Sequence, residues 1–166
     1  PRCAQTHPYG EPGFNWPDAF FALGITEEER EQIAAPGDNE DVAIVRRACF
    51  VRGVLFVPVH GWPSPVGLGL WIKIGNAEFQ DFEARRRVHH PEYDGAIANQ
   101  SSFLGPTLGL SARMSFRGVG ERPALTLHDS AHPLVRAQRE GVDEAIACAW
   151  LSESFHADEP EPLRAR

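Results

Sequence analysis

Three cysteines, a single methionine and no apolar run of bilayer length set the first limits on this chain. Cys3, Cys49 and Cys148 are odd in number and far apart. They make no disulfide framework, and free thiols of this kind suit a reducing cytoplasm. Without about 20 consecutive apolar residues, no membrane-spanning helix is expected. The opening "PRCAQTHPYG" also lacks the apolar stretch of a secretory signal. Positive charge is short as well: 16 Lys and Arg stand against 23 Asp and Glu, a net charge of −7. That balance excludes a general nucleic-acid binder, which needs a positive surface to displace counterions. It fits a soluble cytoplasmic protein, or one whose protein partner is basic. No glycine-rich phosphate loop follows a strand, so the doubly wound nucleotide folds lose their main signature. No Gly-x-Ser-x-Gly elbow is present, and no cofactor is expected.

What is there reads as one α+β domain over residues 1–155, with a flexible polar tail at 156–166. At 166 residues and 42% hydrophobic content the chain can bury a real core. Prolines and glycines make residues 1–16 an irregular arm. "PDAFFALG" predicts a short helical turn with Pro17 at its start and Gly24 at its end. In "TEEEREQIAA", Thr26 and Glu29 have capping-box spacing, which predicts a helix. The centre is β in character. "VAIVRRACFVRGVLFVPVH" (42–60) is dominated by β-branched and aromatic residues and reads as two strands or one bent strand. "VGLGLWIKIG" then alternates strictly: Val66, Leu68, Leu70, Ile72 and Ile74 on one face, Gly67, Gly69, Trp71 and Lys73 on the other.

Asn76 caps a predicted helix, "AEFQDFEARRR", with Phe79 and Phe82 on one face. Residues 88–108 read as a long loop. "GLSARMSFR" and "RPALTLH" alternate again as strands. "HPLVRAQRE" and "VDEAIACAWLSESF" predict two helices broken at Gly141, the second with Ile146, Ala149 and Trp150 turned inward. Helices toward the ends and strands between them predict a central antiparallel sheet of about five strands, with helices mainly on one face.

The segments "FVRGVLFVPV", "GLWIKIGNAEF", "GAIAN", "ERPALTL" and "HPLVRAQREGV" stand here in one order. Together they resemble the prokaryotic family catalogued as domain of unknown function 2199, over about residues 50–142. Arg52-Gly53 matches that family's Arg-Gly, and Pro58-Val59 its Pro-Val. Trp71 matches its tryptophan strand, Arg122-Pro123 its Arg-Pro, and His132 to Leu134 its His-Pro-Leu. Cys3 and His7 match the second cysteine and the histidine of its ribbon-like first element, whose first cysteine has no counterpart here. The resemblance implies a bacterial protein and brings no established activity.

Zinc needs about four ligands, or three at a catalytic site. Cys3 and His7 offer two, the paired Cys-x-x-Cys is absent, and no metal site is expected. In "HDSAH", His128 ends a strand pattern and His132 precedes Pro133. The pair therefore straddles a strand–loop–helix junction rather than sharing a helix face. Arg52 is the more informative residue. Period two places it with Phe50, Val54 and Phe56, and places Trp71 on the glycine-bearing face of the next strand. An arginine beside an indole can stack, and its fork can hold a carboxylate or phosphate. Arg52, Trp71 and Arg122, with His128 and His132, are thus the candidate anion- or partner-binding residues. The competing reading makes each arginine a structural anchor paired inside the fold, since a charge at this depth must be paired.

Without a catalytic constellation, the sequence points to a small bacterial accessory protein of immunity type that acts by binding a protein or ligand. The alternative is a small enzyme with a scattered Arg/Trp/His site acting on an anionic small molecule.

Overall fold

The apolar centre of the sequence folds into a sheet that curls round until its last strand meets its second. A computed structural model describes residues 13–24, 41–85, 91–118, 120–128 and 131–156. The arm residues Cys3 and His7, the "TEEEREQIAA" segment and residues 157–166 lie outside them. The described chain runs α1 (Asp18–Phe21), β1 (Val42–Val45), β2 (Ala48–Val57), β3 (Val66–Ile74), α2 (Asn76–Arg85) and β4 (Glu92–Ile97). It continues through β5 (Ser111–Ser115), β6 (Ala124–Leu127), α3 (Pro133–Glu140) and α4 (Glu144–His156).

The strands follow one another in chain order, each antiparallel to the last, and β6 then pairs with β2 in parallel. The α+β content is as the sequence predicts, but a purely antiparallel sheet is not what forms. The reason is geometric. In a meander every strand reverses direction, so β2 and β6, four steps apart, run the same way. Closing an odd number of meander strands therefore requires one parallel seam.

β2 meets three neighbours because one of its edges is shared. β1 pairs with its first half, from Val45↔Ala48 to Val42↔Val51. β6 takes over at Val54↔Ala124 and Leu55↔Leu125. The exchange falls on Arg52-Gly53. The Arg52 N–H donates to the Asp41 carbonyl at 2.7 Å, and the Val54 N–H donates to the Pro123 carbonyl at 2.8 Å. Between them Gly53 lets β6 approach: a Cβ there would stand 2.7 Å from Leu125 Cδ2 and 3.0 Å from the Pro123 oxygen.

Alternation puts Cys49, Val51, Leu55 and Val57 of β2 and the even residues of β3 into one large core. Ala112, Met114, Leu125 and Leu127 reach it from β5 and β6. Phe79 and Phe82 of α2, Leu134 and Val135 of α3 and Ala147 of α4 complete it. Each Val, Leu, Ile, Met or Phe side chain among them, fully buried, contributes roughly 1.5–3 kcal/mol. The opposite face of β2 and β3 carries a second cluster, Phe50 and Trp71 with Ala43, Val45 and Ala98, covered by Phe20 of α1. Among the described residues, one helix thus lies apart from the other three.

Two further expectations need correction. Residues 88–108 are not one loop, because β4 lies within them. Only Tyr93 and Ile97 of β4 are large and buried, and Gly95 interrupts the alternation. That glycine is required, since a Cβ there would collide with the Lys73 carbonyl oxygen of β3. The rest of the segment is held by buried polar groups. The Thr107 hydroxyl donates to the Asn99 carbonyl at 2.6 Å and accepts from the Ser101 N–H at 3.0 Å. In α4, Ile146 is 45% exposed and Ala147 fully buried. The helix is thus turned so that Ile146 and Ala149 do not face the core.

Candidate functional site

Arg52 and Trp71 stand directly opposite each other across the β2–β3 ladder. The Arg52 guanidinium lies beside Gly69, where a Cβ would stand 3.4 Å from Nη2. Over this face runs the segment that enters α1. The Phe14 N–H donates to the Gly69 carbonyl at 3.1 Å, and the Trp71 indole N–H donates to the Phe14 carbonyl at 3.1 Å. Asn99 fixes the same segment from the side. Its Oδ1 accepts from the Trp71 backbone N–H and its Nδ2 donates to the Trp16 carbonyl, both at 2.8 Å. Trp71 is fully buried as a result.

Arg122 lies just before β6 and donates through Nε to Asp41 at 2.7 Å. It thereby joins the start of β1 to the start of β6, at the junction where Arg52 hands its edge from one strand to the other. Arg52, Trp71 and Arg122 thus gather about the middle of β2. His128 does not join them, being six residues beyond Arg122, up to about 20 Å along an extended segment.

His128 sits instead on the solvent face of β4–β6. Its Nε2 is 3.2 Å from Asp94, which Arg113 grips through Nε at 3.0 Å and Nη2 at 3.2 Å. Arg113 first and His128 second hold the Asp94 carboxyl below its usual range. His132 caps α3: its Nδ1 accepts from the Leu134 N–H at 3.1 Å. No cluster of three or more His, Cys, Asp or Glu side chains among the described residues could hold a metal ion. No described helix is long and apolar enough to cross a membrane.

A different part of the surface is concave. A groove of about 480 Å³ lies between α3, α4 and the loop carrying Phe103 and Leu104. Ala137, Val142, Ile146 and Trp150 give it further apolar wall. His60, Arg136, Glu140 and Asp143 supply its polar groups. His60 arrives from the end of β2, where its backbone N–H donates to the Val142 carbonyl at 2.9 Å. The Val142 N–H returns a bond to the Pro58 carbonyl at 2.9 Å. This short parallel bridge brings the imidazole against the turn between α3 and α4. Gly141 makes the approach possible: it has φ +85°, and a Cβ would stand 3.0 Å from His60 Nε2.

At the groove His60 Nδ1 lies 3.0 Å from Asp143 Oδ1, and Nε2 lies 3.0 Å from the Glu140 carbonyl oxygen. The Asp143 carboxylate first, and the Glu140 carbonyl second, push the imidazole pKa above its ordinary 6.5. Sequence reading missed this residue. His60 stands three residues beyond β2 with no partner nearby in sequence, while Glu140 and Asp143 follow some 80 positions later.

Set against known proteins, residues 1–142 match the family described as "Uncharacterized protein conserved in bacteria (DUF2199)". The chain belongs to this family. The DUF2199 match ends at Val142, so it takes in the barrel, α3 and His60, while α4 with Ile146 and Trp150 lies beyond it. No curated protein and no solved structure matches the chain.

Proposed function

We infer that this DUF2199 protein acts by binding, as a small accessory protein of immunity type without chemistry of its own, and that the α3–α4 groove is its binding surface. The observation that carries this reading is the groove itself. Apolar walls end in the exposed Ile146, and charged groups are confined to its rim. Concave apolar surface with a few convergent polar groups is the usual form of a binding site. Exposed apolar area beside such a cleft favours a macromolecular partner. The net charge of −7 makes that partner a basic protein. The predicted Arg52, Trp71 and Arg122 set has a sufficient role in joining the arm, β1 and β6, which supports the anchor reading over the pocket.

The experiment is a comparison of three full-length chains expressed in the native host: wild type, Ile146→Glu and Arg122→Met. A basic protein recovered in stoichiometric amount with wild type and Arg122→Met, and lost with Ile146→Glu, supports the groove. A turnover activity that survives Ile146→Glu and disappears with Arg122→Met replaces the binding reading by the enzymatic one.

A further inference from the structure

The imidazole of His60 has acceptors at both ring nitrogens, Asp143 Oδ1 at Nδ1 and the Glu140 carbonyl at Nε2. A neutral imidazole has one N–H and one lone pair, so one of the two contacts then sets lone pair against lone pair. Only the imidazolium donates to both. The groove rim is thus arranged around a cation sitting on Asp143.

That cation is exchangeable. The side chains of His60 and Asp143 are 60% and 78% exposed, so water and other cations reach the carboxylate freely. The other charged groups lining the groove are Arg136 and Glu140, both on α3, and Glu144 follows Asp143 at the start of α4. With His60 protonated, the charges of His60, Asp143, Arg136 and Glu140 cancel. With His60 neutral, the rim is left with one negative charge beside an apolar wall.

We propose that the groove takes an amphipathic cation presented by a basic protein: an apolar side chain against Ile146 and Trp150, with a neighbouring lysine or arginine on Asp143. His60 is the internal stand-in for that cation, holding the carboxylate until the partner's charge replaces it. The inference rests on the groove being the binding surface. Charge complementarity selects the occupant, since a partner ammonium or guanidinium reproduces the imidazolium's contact with Asp143 and is drawn in by the chain's net charge. Competition gives the site a pH dependence. The raised pKa of His60 keeps the stand-in charged in mildly acidic solution, and neutralisation at higher pH frees Asp143 for the partner.

The test uses the full-length, 15N-labelled chain with n-hexylamine, 1-hexanol and hexanoate as probes at about pH 5.5 and about pH 8.5; the amine is charged at both. Hexylamine should shift the amides of Val142 to Ile146 and of Trp150 saturably. Its binding should weaken roughly threefold at the lower pH, the scale of one exposed ion pair. His60→Gln should abolish that pH difference, and Asp143→Asn should reduce hexylamine to the affinity of hexanol. Both substitutions are at exposed positions, and a well-dispersed spectrum confirms that each variant is folded. Hexanol or hexanoate binding as tightly as hexylamine overturns the cation, while the groove stands. Hexylamine binding that ignores both pH and His60→Gln overturns the stand-in. If none of the three probes moves the groove amides, the groove is not a binding surface, and the proposed function falls with it.

Discussion

Arg52 and Trp71 are direct cross-strand partners, and the indole N–H of Trp71 is bonded to the Phe14 carbonyl of the segment that covers both. The pair therefore lies between two layers, sheet below and arm above. A guanidinium and an indole on neighbouring strands resemble the wall of an anion pocket when read from sequence. With the arm in place they become the surface on which residues 13–24 are anchored.

Trp71→Phe separates these roles. The substitution leaves the Phe14 carbonyl without its donor and opens space under the arm. The expected loss is about 2–3 kcal/mol of unfolding free energy. Amide exchange should rise first at Phe14 and Asp18, whose N–H groups bond to Gly69 and Ala98 of the barrel side. A lower urea midpoint with unchanged exchange at those two amides would show that the indole does not hold the arm.

The β1–β2 turn makes a prediction of the opposite sign. Arg46 and Arg47 close a two-residue hairpin at φ 47° and 72°, in the left-handed region that disfavours side chains with a Cβ. Asn-Gly is the preferred sequence for this turn. Arg46→Asn with Arg47→Gly should raise stability by about 1–2 kcal/mol, chiefly by removing the Cβ at position 47, while Asn tolerates the left-handed region better than Arg at position 46. Thermal unfolding measures it, and a lower melting temperature contradicts the turn geometry.

Gly53 and Gly95 both permit close approach, but their neighbours differ in how far they can yield. A Cβ at Gly53 meets chiefly the Leu125 side chain, which can change rotamer. A Cβ at Gly95 meets the Lys73 backbone oxygen, which is fixed in the ladder. Gly53→Ala should cost about 1–3 kcal/mol. Gly95→Ala should cost more, with β4 separating from β3. Equal urea midpoints for the two variants would remove the distinction between side-chain and backbone obstruction.

The parts of this fold visible in the sequence are those whose pattern is local. Strict alternation in β3 and near-alternation in β2 give the face on which Arg52 and Trp71 meet. Pro133 and Gly141 mark the ends of α3 from neighbouring residues alone. β4 is hidden because only Tyr93 and Ile97 carry a large buried side chain in a segment that also needs Gly95. The Arg46-Arg47 turn carries none of the residues that announce a hairpin, so one bent strand fits "VAIVRRACF" as well as two. The β2–β6 seam joins residues some 70 positions apart through backbone bonds, which leave no trace in side-chain periodicity. His60 is invisible for the same reason, since its meaning depends on Glu140 and Asp143.

The pH behaviour of His60 follows from those two partners. Asp143 and the Glu140 carbonyl stabilise the imidazolium in the folded chain, so its folded pKa lies above the ordinary 6.5 that applies when unfolded. A raised pKa means the folded state binds the proton more tightly. The stability this adds is complete below the unfolded value and is lost as pH rises through the folded one. Wild type should therefore lose stability relative to His60→Gln as pH rises from about 6 toward 8, a window set by the ordinary histidine value and the upward direction of the shift. The effect is small, because the pair is open to solvent. The ring proton resonances of His60 should report a midpoint above 6.5, brought down by Asp143→Asn. A His60 midpoint at or below 6.5 would mean that neither acceptor holds the imidazolium in solution.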